Sequence, residues 1–240
     1  VPDPIAYRRV TPGSQPPLDA PAYGSTHLRH PKQPLFRVPH TLTETSAPAM
    51  SAVRYPSSAD MSKHNGREAM GERIIVAGRV LDENGRPVRG AMIEVWQANA
   101  AGRYHHVRDQ HDAPLDPNFL GRCRVFADDE GWYRYTTVRP GAYPWRNHHN
   151  AWRPVHIHYS LFGHGFAQRM VTQMYFPGDP LLPLDPVFNA TPDPVARERL
   201  VSSFDLEVTQ PEWALGYRFD IVLRGREATP FEEDHDDGEH

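Results

Sequence analysis

The sequence predicts an all-β fold, a sandwich of two packed sheets, on three observations. Proline accounts for 25 of the 240 residues, a density that breaks helix interiors and suits short strands joined by loops. Hydrophobic residues make up 39% and aromatic residues 10%, enough for a real core and too regular in their runs for a disordered chain. From residue 73 onward the apolar positions alternate with period two, the signature of strands with one face buried.

The elements follow in order. Residues 1–50 hold ten prolines and no sustained periodicity, so they read as an extended arm lying over this chain or over a partner. A β-sandwich domain carrying the chemistry is expected over 51–231, and an acidic, disordered tail over 232–240. Within the domain, RIIVAGRV (73–80) is a strand, DENGRP (82–87) a turn and GAMIEVWQA (90–98) a second strand, together a hairpin. Alternation places Ala91, Ile93, Val95 and Gln97 on one face of that second strand, and Met92, Glu94 and Trp96 on the other. RCRVF (122–126), the turn DDEG (128–131) and WYRYTTV (132–138) form another hairpin. VHIHYSLF (155–162), RMVTQMYF (169–176) and YRFDIVL (217–223) complete about seven strands. One helix is expected at 193–204, capped by Asp193 with Pro194 in its first turn and Ala196, Leu200 and Phe204 on one face. Long loops at 99–121 and 139–154 are where function is expected on such a scaffold.

Composition also narrows the function. No window approaches the roughly 18 apolar residues of a membrane helix, and VPDPIAYRRV lacks the apolar core of a secretory leader. The single Cys123 excludes an internal disulfide framework and a multi-thiolate zinc site, and fits a reduced, cytoplasmic setting. The net charge of −4 owes its sign to the acidic tail. Arginine dominates over lysine without forming a basic cluster, so no nucleic-acid partner is expected. No G-x-G-x-x-G or P-loop string calls for a nucleotide.

The sharpest local signal is His156-Ile157-His158. On a strand, residues i and i+2 share a face about 6.5–7 Å apart, so two imidazoles can converge on one metal while Ile157 packs the other way. Two hydrogen-bonded, metal-free histidines are the ordinary alternative. Further ligands would come from the long loops. These offer Tyr104, His105, His106 and His111 in one, and Tyr143, His148, His149 and Arg153 in the other. Protonated tyrosine is a poor ligand, its free pKa being about 10. A strongly Lewis-acidic cation favours the phenolate, and a hard trivalent ion such as ferric iron suits that oxygen. Zinc would be the default for histidines with carboxylates.

Several strings, taken together, resemble the intradiol ring-cleaving dioxygenases: VWQANAAGRYHH (95–106), PGAYPWRN (140–147), WRPVHIH (152–158), TQMYFPGDP (172–180) and GYRFDIVLRG (216–225). The resemblance runs from about Tyr23 to Phe231. It implies a non-haem ferric ion held by Tyr104, Tyr143, His156 and His158. It further implies that Arg153 is the active-site arginine, that Gln173 lies beside it, that Trp145 walls the pocket and that Tyr23, in PAYGST, contacts the substrate. On this reading Tyr143 serves first as ligand and then as base for a catechol proton, and Arg153 stabilises the ionised substrate.

The proline-rich arm, in place of a helical dimerisation segment, favours the branch of the family that cleaves protocatechuate with dioxygen. In that branch an iron-bearing chain pairs with a homologous α chain in αβ units and higher oligomers. Outside the family, the alternatives are a zinc-dependent hydrolase using His156, His158 and an acidic residue, or a non-catalytic β-sandwich binding module. His105, His106, His111, His148 and His149 match no ligand position and are read as loop or surface residues. Trp96 and Trp132 are read as core or sheet-face residues, and Cys123 as a small buried strand residue.

Overall fold

The computed structural model describes residues 10–34, 57–146, 149, 152–162 and 169–231; the predicted tail and His148 lie outside them. The short strands β1 (Lys63–His64) and β2 (Arg67–Glu68) precede the long strand β3 (Arg73–Leu81). Then follow β4 (Met92–Trp96), β5 (Arg122–Phe126), β6 (Trp132–Val138), β7 (Tyr143–Pro144), β8 (Trp152–Arg153), β9 (His156–Phe162) and β10 (Arg169–Tyr175). The chain closes with β11 (Ser203–Phe204), β12 (Leu215–Arg218) and β13 (Ile221–Val222). Among the described residues helices are few and short: α1 (Thr26–Arg29), α2 (Pro186–Asn189) and α3 (Pro194–Glu198), with a 3-10 turn at Leu182–Leu184.

One sheet has the order β10-β9-β4-β5; the other is built around β3, with β12 and β13 on one side and β6 on the other. Their inner faces share one core. Ile74, Val76, Tyr133 and Tyr135 from one sheet pack with Ile93, Val95, Val125, Ile157 and Tyr159 from the other. Each fully buried aliphatic side chain there contributes about 1.5–3 kcal/mol. Tyrosines enter this core because their hydroxyls find partners: Tyr135 and Tyr159 bond each other, and Tyr133 donates to the Phe219 carbonyl. Cys123 is buried as expected, and burial, with Asp60 nearby, pushes its thiol up to about 12.

Three expectations need correction. Both predicted hairpins are crossings between sheets: β3 and β6 belong to one sheet, β4 and β5 to the other. The turns form as read, with Asp82 accepting from the Asn84 and Arg86 amides and Asp128 from those of Glu130 and Trp132. After the first turn Val88 still donates to Val80, but Gly90, at φ +68°, turns its amide to Ala127 and carries the chain across.

The helix expected over 193–204 stops at Glu198. Asp193 does cap it, accepting from the Val195 amide. Beyond it the backbone is claimed by the end of β10: Tyr175 donates to the Leu200 carbonyl, and Ser202 donates to that of Tyr175. Phe204 is therefore an exposed residue of β11. The last expected strand, 217–223, is also interrupted, because the Asp220 side chain takes the Arg79 amide in place of a backbone partner.

Described residues of the arm lie on this chain. Thr11 donates to the Arg226 carbonyl, Gln15 exchanges hydrogen bonds with Thr229 and Phe231, and Asp193 donates to the Gly13 carbonyl.

Candidate metal centre

His156 and His158 lie side by side on β9, an inner strand, with relative exposures of 2% and 4%. Ile157 between them points into the core. Cross-strand register sets their neighbours, with Tyr175 opposite His156, and Gln173 and Trp96 opposite His158. The His156 Nδ1–H donates to the Pro154 carbonyl at 2.6 Å, which leaves the Nε2 lone pair for the site. Trp96 lies flat on the His158 ring, centroids 4.9 Å apart and planes 4° from parallel.

The two tyrosines come from the two long loops. Asn99 folds the first by accepting from the Ala101 and Arg103 amides, and the Tyr104 amide is held by Asp109 at 2.7 Å. The second loop closes on the first through glycine: Gly141 donates to the Asn99 carbonyl, and a Cβ at Gly141 would stand 2.6 Å from the Ala100 carbonyl oxygen. Tyr143 then enters β7, directly opposite Arg153 on β8.

The four predicted ligands converge. The Tyr104 hydroxyl is 3.1 Å from His158 Nε2, and the Tyr143 hydroxyl is 3.2 Å from His156 Nε2. The two phenol rings meet edge to face at 5.3 Å and the two imidazoles at 4.8 Å. Burial drives the Tyr104 phenol well above its ordinary range, and Tyr143 adds to that shift while the charge of Arg153 opposes it. That phenol therefore stays neutral unless a cation is present to favour its ionised form. Two phenol oxygens and two imidazole nitrogens fit a trivalent ion, because the phenolates offset most of its charge and are hard donors. Among the described residues no carboxylate or thiol joins His156 and His158 in a ligand cluster.

Arg153 is 3% exposed. Its Nε and Nη2 bond the two Asp185 carboxylate oxygens at 2.9 and 3.1 Å. The same Nη2 reaches Gln173 Oε1 at 2.6 Å and the Tyr175 hydroxyl at 3.0 Å. Burial opposes the guanidinium charge, but Asp185, with Tyr175 and Tyr143, outweighs it and holds the pKa well above the usual arginine range. Trp145 lies beside this guanidinium, 5.2 Å from ring centroid to Cζ. Tyr23 meets the Trp145 ring edge-on at 5.2 Å and carries the Arg29 guanidinium over its own face. Tyr23 also lines a cavity of about 220 Å³, together with Arg29, Val187 and Phe231. Of the predicted site residues, only Tyr23 borders that space.

Sequence reasoning missed Asp185 and Tyr175. Tyr175 was within reach, since it lies two residues from Gln173 on the same strand face. Asp185 caps α2, accepting from the Phe188 amide. Its bond to Arg153 leaves no local trace. Of the remaining histidines, His105, His106 and His149 are exposed, and His111 packs against Trp152. Asp19, His27 and His30 cluster on the arm, but the Lys32 ammonium already stands 3.2 Å from His30 Nε2.

A family model described as dioxygenase matches residues 46–225, and one described as protocatechuate 3,4-dioxygenase beta subunit N terminal matches residues 7–41. The chain is 57% identical over 223 residues to the protocatechuate 3,4-dioxygenase beta chain of Burkholderia cepacia, covering 91% of this chain and 94% of that one. It is 30% identical over 207 residues to the protocatechuate 3,4-dioxygenase alpha chain of Pseudomonas putida, covering 82% and 98%. The crystal structure of 3-chlorocatechol 1,2-dioxygenase from Rhodococcus opacus 1CP superposes with a TM-score of 0.53 at 25% identity, covering 79% of this chain and 70% of that one. With its two-sheet scaffold and its converging tyrosine and histidine side chains, the chain belongs to the intradiol ring-cleaving dioxygenase family and is similar to its protocatechuate 3,4-dioxygenase beta chains.

Proposed function

We propose that this chain carries the ferric centre of a protocatechuate 3,4-dioxygenase, with Tyr104, Tyr143, His156 and His158 as the metal ligands. The observation that carries the reading is the meeting of two phenol oxygens with two imidazole nitrogens at 3.1 and 3.2 Å. Hydrogen bonds between phenol and imidazole satisfy these groups while the phenols are protonated, and a cation that displaces the two phenol protons gains all four donors at once. When bound, ferric iron supplies the Lewis acidity and electron-accepting character that bring the catecholate and dioxygen to reaction.

The protein's own groups handle protons and charge. A catechol reaches its dianionic form only by giving up two protons, and on this reading the Tyr143 phenolate oxygen takes one of them. Arg153 cannot be deprotonated, so its guanidinium offers fixed positive charge to negative charge developing on the substrate. Its nearness to Tyr143 follows from the β7–β8 register. Trp145 and Tyr23, edge to face, wall the approach, and Tyr23 can donate its hydroxyl to the substrate carboxylate. The overall change joins protocatechuate and dioxygen into 3-carboxy-cis,cis-muconate, with the ring opened between the two hydroxyl-bearing carbons.

Similarity to both an alpha and a beta chain supports assembly with a homologous α partner. Among the described residues no helix is long and apolar enough to cross a membrane. Oxygen uptake with protocatechuate, catechol and hydroxyquinol, with and without the α chain, tests the assignment. The reading expects protocatechuate to be preferred and the α chain to be required. Equal or faster turnover of catechol by the isolated chain would contradict it.

A further inference from the structure

We propose that Asp185 is a positioning residue for the ring-cleavage reaction: it holds the Arg153 guanidinium by one edge so that its Nη1 side is presented to the substrate. This rests on the assignment of Arg153 to the reaction made above. Asp185 is fully buried, at 0% exposure, and takes Nε and Nη2 of Arg153 on separate carboxylate oxygens at 2.9 and 3.1 Å. Such a two-point grip fixes the rotation of the guanidinium plane as well as its place. Gln173 and Tyr175 crowd onto the same Nη2 at 2.6 and 3.0 Å, and the Tyr175 hydroxyl also reaches Asp185 Oδ2 at 3.0 Å. Every hydrogen bond of the Arg153 side chain to the described residues thus falls on Nε or Nη2. Nη1 keeps its donors for a ligand.

Asp185 is itself immobilised. It follows the turn at Leu182–Leu184, precedes Pro186, and caps α2 by accepting from the Phe188 amide. Asn189 Nδ2 donates to its carbonyl at 2.8 Å. The carboxylate is therefore a rigid anchor, set on a different element from the arginine it orients. Cap and anchor are separable. Asparagine keeps an acceptor for the Phe188 amide but turns an N–H₂ group toward one of the guanidinium nitrogens, so only one point of the grip survives.

The test compares iron-loaded αβ enzyme carrying Asp185→Asn, Arg153→Ala or both, with turnover expressed per bound iron. Asp185→Asn is expected to keep its iron and visible colour and to lose about 10- to 100-fold in kcat, with KM changed less than about threefold. The double variant is expected to turn over no more slowly than Arg153→Ala alone, because Asp185 acts only through Arg153. A purely structural role would instead multiply the two losses, and that result overturns the proposal. Full activity of Asp185→Asn alongside a crippled Arg153→Ala overturns it too, while leaving the role of Arg153 intact. Full activity of Arg153→Ala would instead defeat the reading beneath it. If Asp185→Asn yields no folded enzyme, Asp185→Glu displaces the carboxylate by one methylene. A kcat loss of at least about fivefold is then expected, and unchanged kcat overturns the proposal.

Discussion

Gly102 lies against Ala142 so closely that a Cβ on the glycine would stand 2.2 Å from the Ala142 carbonyl oxygen. At φ +80°, Gly102 also occupies a backbone region that other residues adopt at a cost. The contact joins the loop carrying Tyr104 to the strand carrying Tyr143. Gly102→Ala is therefore predicted to separate the two tyrosines and to lower the iron bound per chain at least several-fold, with a stability loss of about 1–3 kcal/mol. Metal analysis and thermal unfolding check this, and iron content equal to the parent protein would refute it.

Removing a ligand differs from removing the charge beside it. Tyr104→Phe or His158→Ala is predicted to abolish iron retention, since each deletes one of four donors. Arg153→Ala is predicted to keep the iron and colour while kcat falls about 10²-fold or more. Metal content and oxygen uptake on the same preparations separate the two outcomes. Turnover unchanged in Arg153→Ala would remove that residue from the reaction.

The Trp96 ring covers one face of His158 at 4.9 Å. Trp96→Ala is predicted to leave all four donors in the chain but to loosen His158 and admit water. Iron should then be lost to a chelator about tenfold faster or more, the scale on which partners of metal ligands act. An unchanged rate of iron release would show that the stacking has no such role.

Alkaline stability follows from the buried acids. Cys123 is pushed up to about 12, and Tyr133, Tyr135 and Tyr159 lie well above their ordinary range because burial opposes their charge. The unfolded chain releases these protons at lower pH than the folded one, so it binds fewer protons above the unfolded pKa values. Stability is thus full below about pH 8.5 and falls as pH rises, first through Cys123 by about 1.4 kcal/mol per unit and then more steeply above about pH 10. Denaturant unfolding between pH 8 and 11 measures it, and a flat profile would contradict the burial of these groups.

Much of this was legible in the sequence. The period-two runs located β5 and β6 with their observed limits, and the H-I-H string placed two imidazoles on one face with Ile157 in the core. What local pattern could not carry was competition between distant segments. Nothing in residues 193–204 reveals that Tyr175 will take the Leu200 carbonyl and end the helix. The turns at Asp82 and Asp128 look like hairpins because the pattern of a turn does not say which sheet its second strand joins. Asp185 was hidden for the same reason, its cap being local and its grip on Arg153 spanning 32 residues.

The central claim is that two phenolates and two imidazoles hold ferric iron, and metal analysis with a visible absorption spectrum of the purified protein tests it most directly. The predicted result is about one iron per chain and a red-brown colour from phenolate bound to ferric ion, both lost in Tyr104→Phe. A colourless protein that carries zinc, or one whose iron and colour survive loss of Tyr104, would contradict it.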